Sequence, residues 1–366
     1  MAIASDSGNS LDRLMPMKLT RKIRLDRIGS VTTPAKLGPI VEVSPECVAE
    51  EGSVIVGRVL NESKLYGEVE LPTGRKARIV RGNLLVGALG ARQALHGYMG
   101  DVPATLATGD VISFLNMAGV MGLCHSFNRD VGPPINLEVI GQVTRNGQAL
   151  NIRDYGLPRV EALRPDGPPI VLVMGTCMNA GKTMVAGELI RVLSHAGVRI
   201  AAGKLSGVAA LRDPLVMADN GAVATASFLD CGLSSTVRTK DLAPVARSII
   251  AHLEESDPDL IILEMGDGII GGYNVGSLLM DDGIMARTRA RILCANDLVG
   301  AWGAVQYLEK FEKPPHVISG PVTDNTVGTN YVNRELKLRC ANARNSPLEL
   351  VRHVSEVAGI TVELGA

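Results

Sequence analysis

The sequence predicts an α/β protein with a doubly wound, mostly parallel C-terminal sheet and a separate β-rich N-terminal domain, either a barrel or a sandwich. Short runs rich in Val and Ile, punctuated by Gly, Pro and Asn, fill residues 17–155, which is typical of hairpins and meanders. From Ile170 onward, continuous apolar runs of strand length alternate with segments of helical periodicity. That alternation is typical of a parallel sheet whose strands are buried on both faces.

A Pro/Gly-rich stretch, EALRPDGPP at residues 161–169, separates the two patterns. We therefore expect a flexible leader over residues 1–16, the β-rich domain over 17–160 and the second domain over 168–366. The chain of 366 residues is long enough for two cores. Inside the β-rich part, only LLVGALGARQALHG is expected to form a helix or a turn.

The C-terminal elements follow from the same periodicities. The expected strands lie in IVLVMG, VRIAAGKL, DLIILEMGDG, ARILCAND and PHVISGPV. The expected helices lie in TMVAGELIRVLSHAG, LAPVARSIIAHLEES, AWGAVQYLEKF and PLELVRHVSEVAG.

Composition narrows the class of protein. The formal net charge of −1 gives no general attraction to nucleic acid or to an anionic membrane, so we expect neither as a partner. No apolar run is long enough to span a bilayer. The six cysteines are scattered without CxxC spacing, which favours reduced thiols in a cytoplasmic protein over a structural zinc site.

The stretch GTCMNAGKT, from Gly175 to Thr183, has the features of a phosphate-binding loop (P-loop) because it follows a strand and opens a helix. Two glycines let the backbone turn around phosphates, Lys182 supplies a charge for the β- and γ-phosphates, and the Thr183 hydroxyl is a Mg²⁺ ligand. The expected nucleotide-binding residues are Gly175, Thr176, Asn179, Ala180, Gly181, Lys182, Thr183 and Met184.

Five residues, rather than the usual four, separate the first glycine from Gly-Lys-Thr. This longer loop resembles the GTxxxxGKT loop of the dethiobiotin synthetase-like proteins, in the P-loop branch that includes nitrogenase iron protein and the metal-insertion GTPases. The resemblance covers about residues 168–335. It departs at Cys177, Met178 and Asn179, where the family usually has acidic residues, and the β-rich region has no counterpart.

The resemblance implies roles for residues beyond the loop. Lys204, 22 residues after Lys182 in AAGKLSG, matches a family lysine that assists phosphoryl chemistry, and Glu264 in IILEMGDG matches a Mg²⁺ ligand. The segment RILCANDLVGAWGAV matches a later strand and helix, and VISGPVTDN occupies the slot that recognises the base. The resemblance also implies ATP rather than GTP, and makes a homodimer an expectation.

Further acids lie at the same predicted edge of the sheet, where α/β proteins bind ligands. Asp267 follows the strand that ends at Glu264 and is expected to act behind it or through water. Asp213 or Asp219 is expected to bind metal or contact substrate. The catalytic set is therefore Lys182, Lys204 and Glu264, and the metal set is Thr183, Glu264 and Asp213.

Two further segments leave alternatives open. The glycine-rich GDGIIGGYNVGS, residues 266–277, indicates either a close backbone approach to a ligand or a flexible turn. In the N-terminal part, Arg92, Asn116, Cys124, His125 and Arg129 are either substrate contacts or polar residues of a structural barrel.

Three classes of function are open for these residues. The first is a Mg-ATP-dependent enzyme, a kinase or a ligase, that phosphorylates or activates a small carboxylate or carbamate selected by the β-rich domain. The alternative is a nucleotide-hydrolysing switch or carrier that delivers a metal or a cofactor. A carrier of this kind is expected to show a Cys/His cluster and a guanine-reading NKxD motif, for which CAND at Cys294–Asp297 is only a weak match. A non-catalytic binding module is the third hypothesis.

Overall fold

A computed structural model describes residues 20–363 of the chain. The expected leader, residues 1–16, lies outside the described residues. Two sheets dominate the described part, one β-rich and N-terminal, the other parallel and C-terminal. The predicted fold class is therefore confirmed.

The N-terminal sheet closes into a ring of five strands. Strand β4 pairs with β7 and β12, β7 pairs with β11, and β10 joins β11 to β12. Of the two shapes expected from the sequence, the structure is thus a barrel. The strands are β1 (Arg21–Arg24), β2 (Arg27–Ile28), β3 (Ile40–Ser44), β4 (Val54–Val59), β5 (Glu68–Glu70), β6 (Lys76–Arg78), β7 (Leu84–Leu89), β8 (Arg92–Gln93), β9 (Tyr98–Asp101), β10 (Val111–Phe114), β11 (Val120–Phe127), β12 (Ile135–Arg145) and β13 (Gln148–Ala149), with 3-10 turns at Ser30–Ala35 and Ile152–Tyr155.

Strands β4 and β7 are buried on both faces because they separate two cores. Ile55 and Leu85 point into the barrel, where they pack with Phe114. Val54 and Val86 point the other way, into a core that continues to the parallel sheet. The apolar residues of these strands therefore bind the barrel to the rest of the molecule.

The helix or turn expected in LLVGALGARQALHG is mostly strand, in β7 and β8, with only the connection between β8 and β9 as a turn. Gly87 explains why the segment is extended. A Cβ atom there would overlap the carbonyl oxygen of Gly119, which directly precedes the paired strand β11. Close strand packing therefore overrides the helical propensity of Leu and Ala.

The C-terminal sheet has seven strands in the order β16-β15-β17-β14-β18-β19-β20, and every neighbouring pair is parallel. The strands are β14 (Ile170–Gly175), β15 (Ile200–Lys204), β16 (Ala224–Ser227), β17 (Leu260–Glu264), β18 (Thr288–Cys294), β19 (Val317–Ser319) and β20 (Arg339–Cys340). The two edge strands, β16 and β20, are absent from the sequence prediction because they are short and lack a long apolar run.

Helices cover both faces of this sheet, as expected for a doubly wound fold. Val171 and Val173 of β14 face a core shared with α1 and α8, whereas Leu172 faces the core that includes α3 and α6. The helices are α1 (Lys182–His195), α2 (Arg212–Asp219), α3 (Ala243–Glu254), α4 (Gly276–Leu279), α5 (Asp282–Arg287), α6 (Leu298–Glu309), α7 (Thr326–Tyr331) and α8 (Pro347–Ala358), with a π-helical turn at Val332–Leu336 and a 3-10 turn at Pro321–Thr323.

The barrel packs against the edge of the sheet at which the strands end. The Leu211 amide donates to the Glu70 carboxylate at 2.8 Å, and the Asn116 side chain donates to the Ala209 carbonyl at 2.9 Å. These bonds join the segment after β15 to the barrel. Among the described residues, no helix is both long and apolar enough to cross a membrane.

Candidate nucleotide site

The loop between β14 and α1 turns sharply around its own backbone amides. Asn179 and Gly181 both adopt left-handed conformations, with φ of 65° and 93°. The Thr176 amide donates to the Cys294 carbonyl at 2.9 Å, which fixes the start of the loop to strand β18. A turn of this shape, followed at once by a helix N-terminus, exposes N–H groups to an anion.

Lys182 folds back over the loop that precedes it. Its side chain is buried, and its ammonium donates to the Cys177 carbonyl at 2.7 Å. Gly175 makes room for this path, since a Cβ atom there would lie 2.8 Å from Cδ of Lys182. One of the three ammonium donors is thus used to fix the lysine, which leaves two for phosphate oxygens.

Three oxygen-bearing side chains meet at the first turn of α1. The Thr183 hydroxyl lies 3.0 Å from Oε1 of Glu264 and 3.4 Å from Oδ1 of Asp213. Glu264 is only 2% exposed, and its Oε2 has no hydrogen-bond partner among the described residues. A buried carboxylate oxygen without a partner is costly unless a cation or donor satisfies it.

This donor set fits Mg²⁺, which prefers oxygen ligands and usually binds through one or two carboxylates together with substrate phosphates. All three residues of the expected metal set, Thr183, Glu264 and Asp213, lie together. Within residues 20–363, no group of three or more His, Cys, Asp and Glu side chains is arranged to hold a metal ion.

Lys204 lies beside the carboxylates, on the neighbouring strand. It is the register partner of Glu264 in the β15–β17 pair, and its ammonium forms an ion pair with Asp213. Burial lowers the pKa of Lys204, and the nearby cations Lys182 and Arg212 act in the same direction. The carboxylates of Glu264 and Asp267 oppose this shift.

Asp267 lies just past β17 in a left-handed conformation, with φ of 60°. Burial raises the pKa of its carboxyl, against the influence of Lys182. The glycines on either side approach protein backbone: a Cβ atom on Gly268 would lie 2.5 Å from the Thr176 carbonyl oxygen, and one on Gly266 would overlap the Ser206 carbonyl oxygen. Gly268 therefore permits the turn to pack on the P-loop and Gly266 permits it to pack on the segment after β15, an alternative absent from the sequence analysis.

A cleft of about 500 Å³ opens between this site and the barrel, here called the barrel–loop cleft. On the sheet side it is lined by most of the expected site residues, including both lysines and the carboxylates. On the barrel side it is lined by Tyr66, Glu70, Lys76, Arg92 and Asn116. Of the five N-terminal candidates, Arg92 and Asn116 thus reach the site, whereas Cys124, His125 and Arg129 are not part of its lining.

A smaller cavity of about 260 Å³ lies on the other side of the loop. It is bounded by Asn179 and Met184 of the loop region, by Asp324, and by Asn342 and Arg344. Asp324 belongs to VISGPVTDN, the slot that the resemblance assigns to the base. The residues that follow β20 were missed because that edge strand was not predicted.

The remaining expected residues have mainly structural surroundings. Asp297 of the CAND segment accepts a hydrogen bond from the Gly300 amide at 2.7 Å and caps α6, so its carboxylate stabilises the start of that helix. Asp219 ends α2 and does not line the cleft. Ala180 is fully buried and lines neither cavity.

Comparisons with known proteins give a fold-level likeness only. No family model matches the chain, and no curated protein matches it. The signal recognition particle 54 kDa protein of Aeropyrum pernix, solved with GDP, is 18% identical with a TM-score of 0.36, over 55% of this chain and 48% of that one. The receptor FtsY of Elizabethkingia anophelis is 14% identical with a TM-score of 0.38, over 52% of this chain and 66% of that one.

A third structure, the hydrogenase maturation factor HypB of Archaeoglobus fulgidus, is 18% identical with a TM-score of 0.30, over 55% of this chain and 82% of that one. The chain thus spans about half the length of the 54 kDa protein and about two thirds of FtsY. None of these three is a dethiobiotin synthetase, so that narrower resemblance stays a prediction. With such low scores, the likenesses assign neither a function nor a superfamily; what the structure shows is a doubly wound parallel sheet with a glycine-rich loop between β14 and α1.

Proposed function

We propose that this protein binds a magnesium–nucleoside triphosphate at Gly175–Thr183 and transfers its terminal phosphoryl group to a small carboxylate in the barrel–loop cleft. ATP is the nucleotide we expect. The observation that carries the proposal is that the buried Lys182, Thr183 and Glu264, whose Oε2 has no hydrogen-bond partner among the described residues, together line a cleft large enough for a small molecule.

Each residue has a role in this proposal. The backbone of the loop cradles the phosphates, and Lys182 offers its two remaining donors to the β- and γ-phosphates. Thr183, Glu264 and Asp213 hold Mg²⁺, which supplies charge neutralisation on the phosphate oxygens when it is bound.

Lys204 stabilises the phosphoryl group while it is being transferred. An oxygen of the acceptor carboxylate forms the new bond to the γ-phosphorus, while the bond from that phosphorus to the bridging oxygen breaks and its electron pair leaves with the nucleoside diphosphate. The product on the acceptor is an acyl phosphate. Negative charge spreads over the equatorial oxygens during this step, and the mostly buried ammonium of Lys204, held by Asp213, stabilises it.

The second candidate function is a switch or carrier that hydrolyses its nucleotide. Such a protein could deliver a metal or a cofactor. The observation in its favour is the segment after Lys204, which bonds directly to the barrel through Leu211 and Ala209. A rearrangement at the γ-phosphate would therefore reach the barrel. The compared structures are a hydrogenase maturation factor, a signal recognition particle receptor and a signal recognition particle protein in complex with GDP. Their names are in keeping with a switch or carrier rather than with a kinase.

Product analysis separates the two candidates. Purified protein with Mg-ATP or Mg-GTP is incubated with a panel of small carboxylates, and the products are trapped with hydroxylamine, which converts an acyl phosphate to a hydroxamate. A carboxylate-dependent release of nucleoside diphosphate with a matching hydroxamate supports the enzyme. Release of inorganic phosphate alone, unaffected by every carboxylate, contradicts it and supports the switch.

A further inference from the structure

The barrel wall of the cleft carries a buried cation that the proposed phosphoryl chemistry does not use. Arg92, in strand β8, is only 7% exposed yet lines the barrel–loop cleft. Its position is distant in sequence from the P-loop and belongs to no motif. A buried charge that faces a cavity calls for a physical reason.

The guanidinium of Arg92 is held by several contacts. One terminal nitrogen, Nη2, donates to the Tyr66 hydroxyl at 3.0 Å, and the other, Nη1, donates to the Leu115 carbonyl. The guanidinium carbon lies 5.3 Å from the centre of the Tyr66 ring and 5.7 Å from that of Tyr98. Cation–π contacts and two hydrogen bonds therefore orient the group without neutralising it.

No carboxylate among residues 20–363 forms an ion pair with Arg92. Glu70, the acidic residue on the same wall, is already bonded to the Ser30 hydroxyl and to the Leu211 amide. A guanidinium has five N–H donors, and the two bonds above leave three of them. Lys76 adds a second, exposed cation to this wall.

We propose that Arg92 is the receptor for a carboxylate carried by the acceptor molecule, at the end away from the reacting group. The planar fork of a guanidinium matches the two oxygens of a carboxylate, and its burial makes the bidentate pair strong. This inference deepens the proposed function, and it rests on that function for the claim that the molecule bound at Arg92 is the phosphoryl acceptor. It narrows the substrate class to small molecules with an anionic group at Arg92 and a second carboxylate near Lys204.

Anion binding tests this inference without any nucleotide present. Succinate, glutarate and adipate are titrated calorimetrically into the full chain, with butyrate as a monocarboxylate comparison. We expect wild-type protein to bind at least one dicarboxylate more tightly than butyrate. We expect Arg92→Met to weaken that binding by about tenfold or more, which corresponds to losing one charge-assisted bidentate contact.

Two further variants keep the test decisive. Arg92→Lys keeps the charge but loses the fork, so its affinity should fall between those of wild type and Arg92→Met; it decides the matter if Arg92→Met does not fold. Arg58→Met removes an exposed barrel arginine paired with Glu138 and should bind like wild type. Thermal unfolding and Mg-ATP binding report that each variant is folded.

The inference is overturned if wild-type protein binds none of the three dicarboxylates, or if a folded Arg92 variant binds them as tightly as wild type. Those results leave the proposed nucleotide chemistry standing, because nucleotide turnover is measured separately. Conversely, wild-type protein that binds dicarboxylates through Arg92 but never cleaves a nucleotide refutes the proposed function and keeps the anion site.

Discussion

The two walls of the barrel–loop cleft hold their charges in different ways. On the sheet wall, cations and carboxylates alternate: Lys204 pairs with Asp213, and Thr183 bridges Asp213 and Glu264. On the barrel wall, Arg92 is stabilised by aromatic rings and a carbonyl rather than by an acid. A wall with internal pairing suits a metal and a polyphosphate, whereas a wall whose buried cation has no ion-pair partner suits a simple anion.

The largest effect should come from removing the loop lysine. We expect Lys182→Ala to lower nucleotide turnover by about 10³-fold, because the charge on the transferred phosphates loses its buried counter-charge. Nucleoside diphosphate release under saturating Mg-ATP measures this, and Lys22→Ala, an exposed barrel variant, is the matched control. Equal turnover in Lys182→Ala and Lys22→Ala would remove the sheet wall from the chemistry.

The second effect concerns the metal on the same wall. Glu264→Gln keeps the shape of the side chain but removes its charge, so we expect turnover to fall by about 10–100-fold and the Mg²⁺ concentration for half-maximal rate to rise. Titrating Mg²⁺ at fixed ATP separates the two changes. The exposed Glu309→Gln should behave as wild type, and an unchanged Mg²⁺ requirement in Glu264→Gln would argue against this glutamate as a ligand.

The barrel wall depends on close strand packing, which a single methyl group should disturb. In Gly87→Ala the new Cβ meets the Gly119 carbonyl, so the backbone must shift, and we expect a loss of about 1–3 kcal/mol in the free energy of unfolding. Gly303→Ala is the counterpart in α6, where nothing lies within 4 Å of the added atom. There we expect a gain of roughly 0.5–1 kcal/mol. Denaturant unfolding of both variants measures the contrast; a Gly87→Ala variant as stable as wild type would contradict the packing argument.

A pH-dependent effect is expected at the opposite edge of the parallel sheet. Burial, with help from Arg291, lowers the pKa of His316 from 6.5 to about 4, and the neutral ring accepts a hydrogen bond from the Arg291 amide at 3.0 Å. The unfolded chain therefore takes up the proton first as the pH falls. The contribution of His316 to the free energy of unfolding is fully present above pH 6.5 and is lost as the pH falls from 6.5 to about 4.

Because the ring is partly exposed, we expect this loss to be on the order of 1–2 kcal/mol. The free energy of unfolding of wild type and His316→Asn, measured from neutral to acidic pH, provides the check. The wild-type curve should fall more steeply than that of the variant. Parallel curves would mean that His316 protonates equally well in both states.

The same contrast explains how far the sequence could predict the site. On the sheet wall, the P-loop is one continuous stretch of sequence, and Lys204 and Glu264 lie at the ends of predicted strands. Strand periodicity and one motif were therefore enough to predict that these residues lie together. The barrel wall joins Tyr66, Arg92 and Leu115 through hydrogen bonds of the Arg92 side chain to residues 23 and 26 positions away in the sequence. No local pattern encodes those contacts, so Arg92 could only be noted as a candidate and Tyr66 was missed.

Two errors in the fold have related causes. The segment around Gly87 has helical composition, and its strand conformation comes from partners more than 30 residues away, at Gly119 and Met121. Edge strands such as β20 are too short to give a periodic signal, and with β20 the sequence analysis lost Asn342 and Arg344 beside the second cavity. Both errors concern long-range pairing rather than local propensity.

Calorimetric titration of wild-type protein with Mg-ATP and Mg-GTP, repeated with Lys182→Ala, tests the central claim most directly. The account predicts saturable binding of a magnesium–nucleotide by wild type, weakened by about tenfold or more in the variant. If neither nucleotide binds wild type, or if the variant binds as tightly, Gly175–Thr183 is not a nucleotide site and the roles given to the sheet wall fall with it.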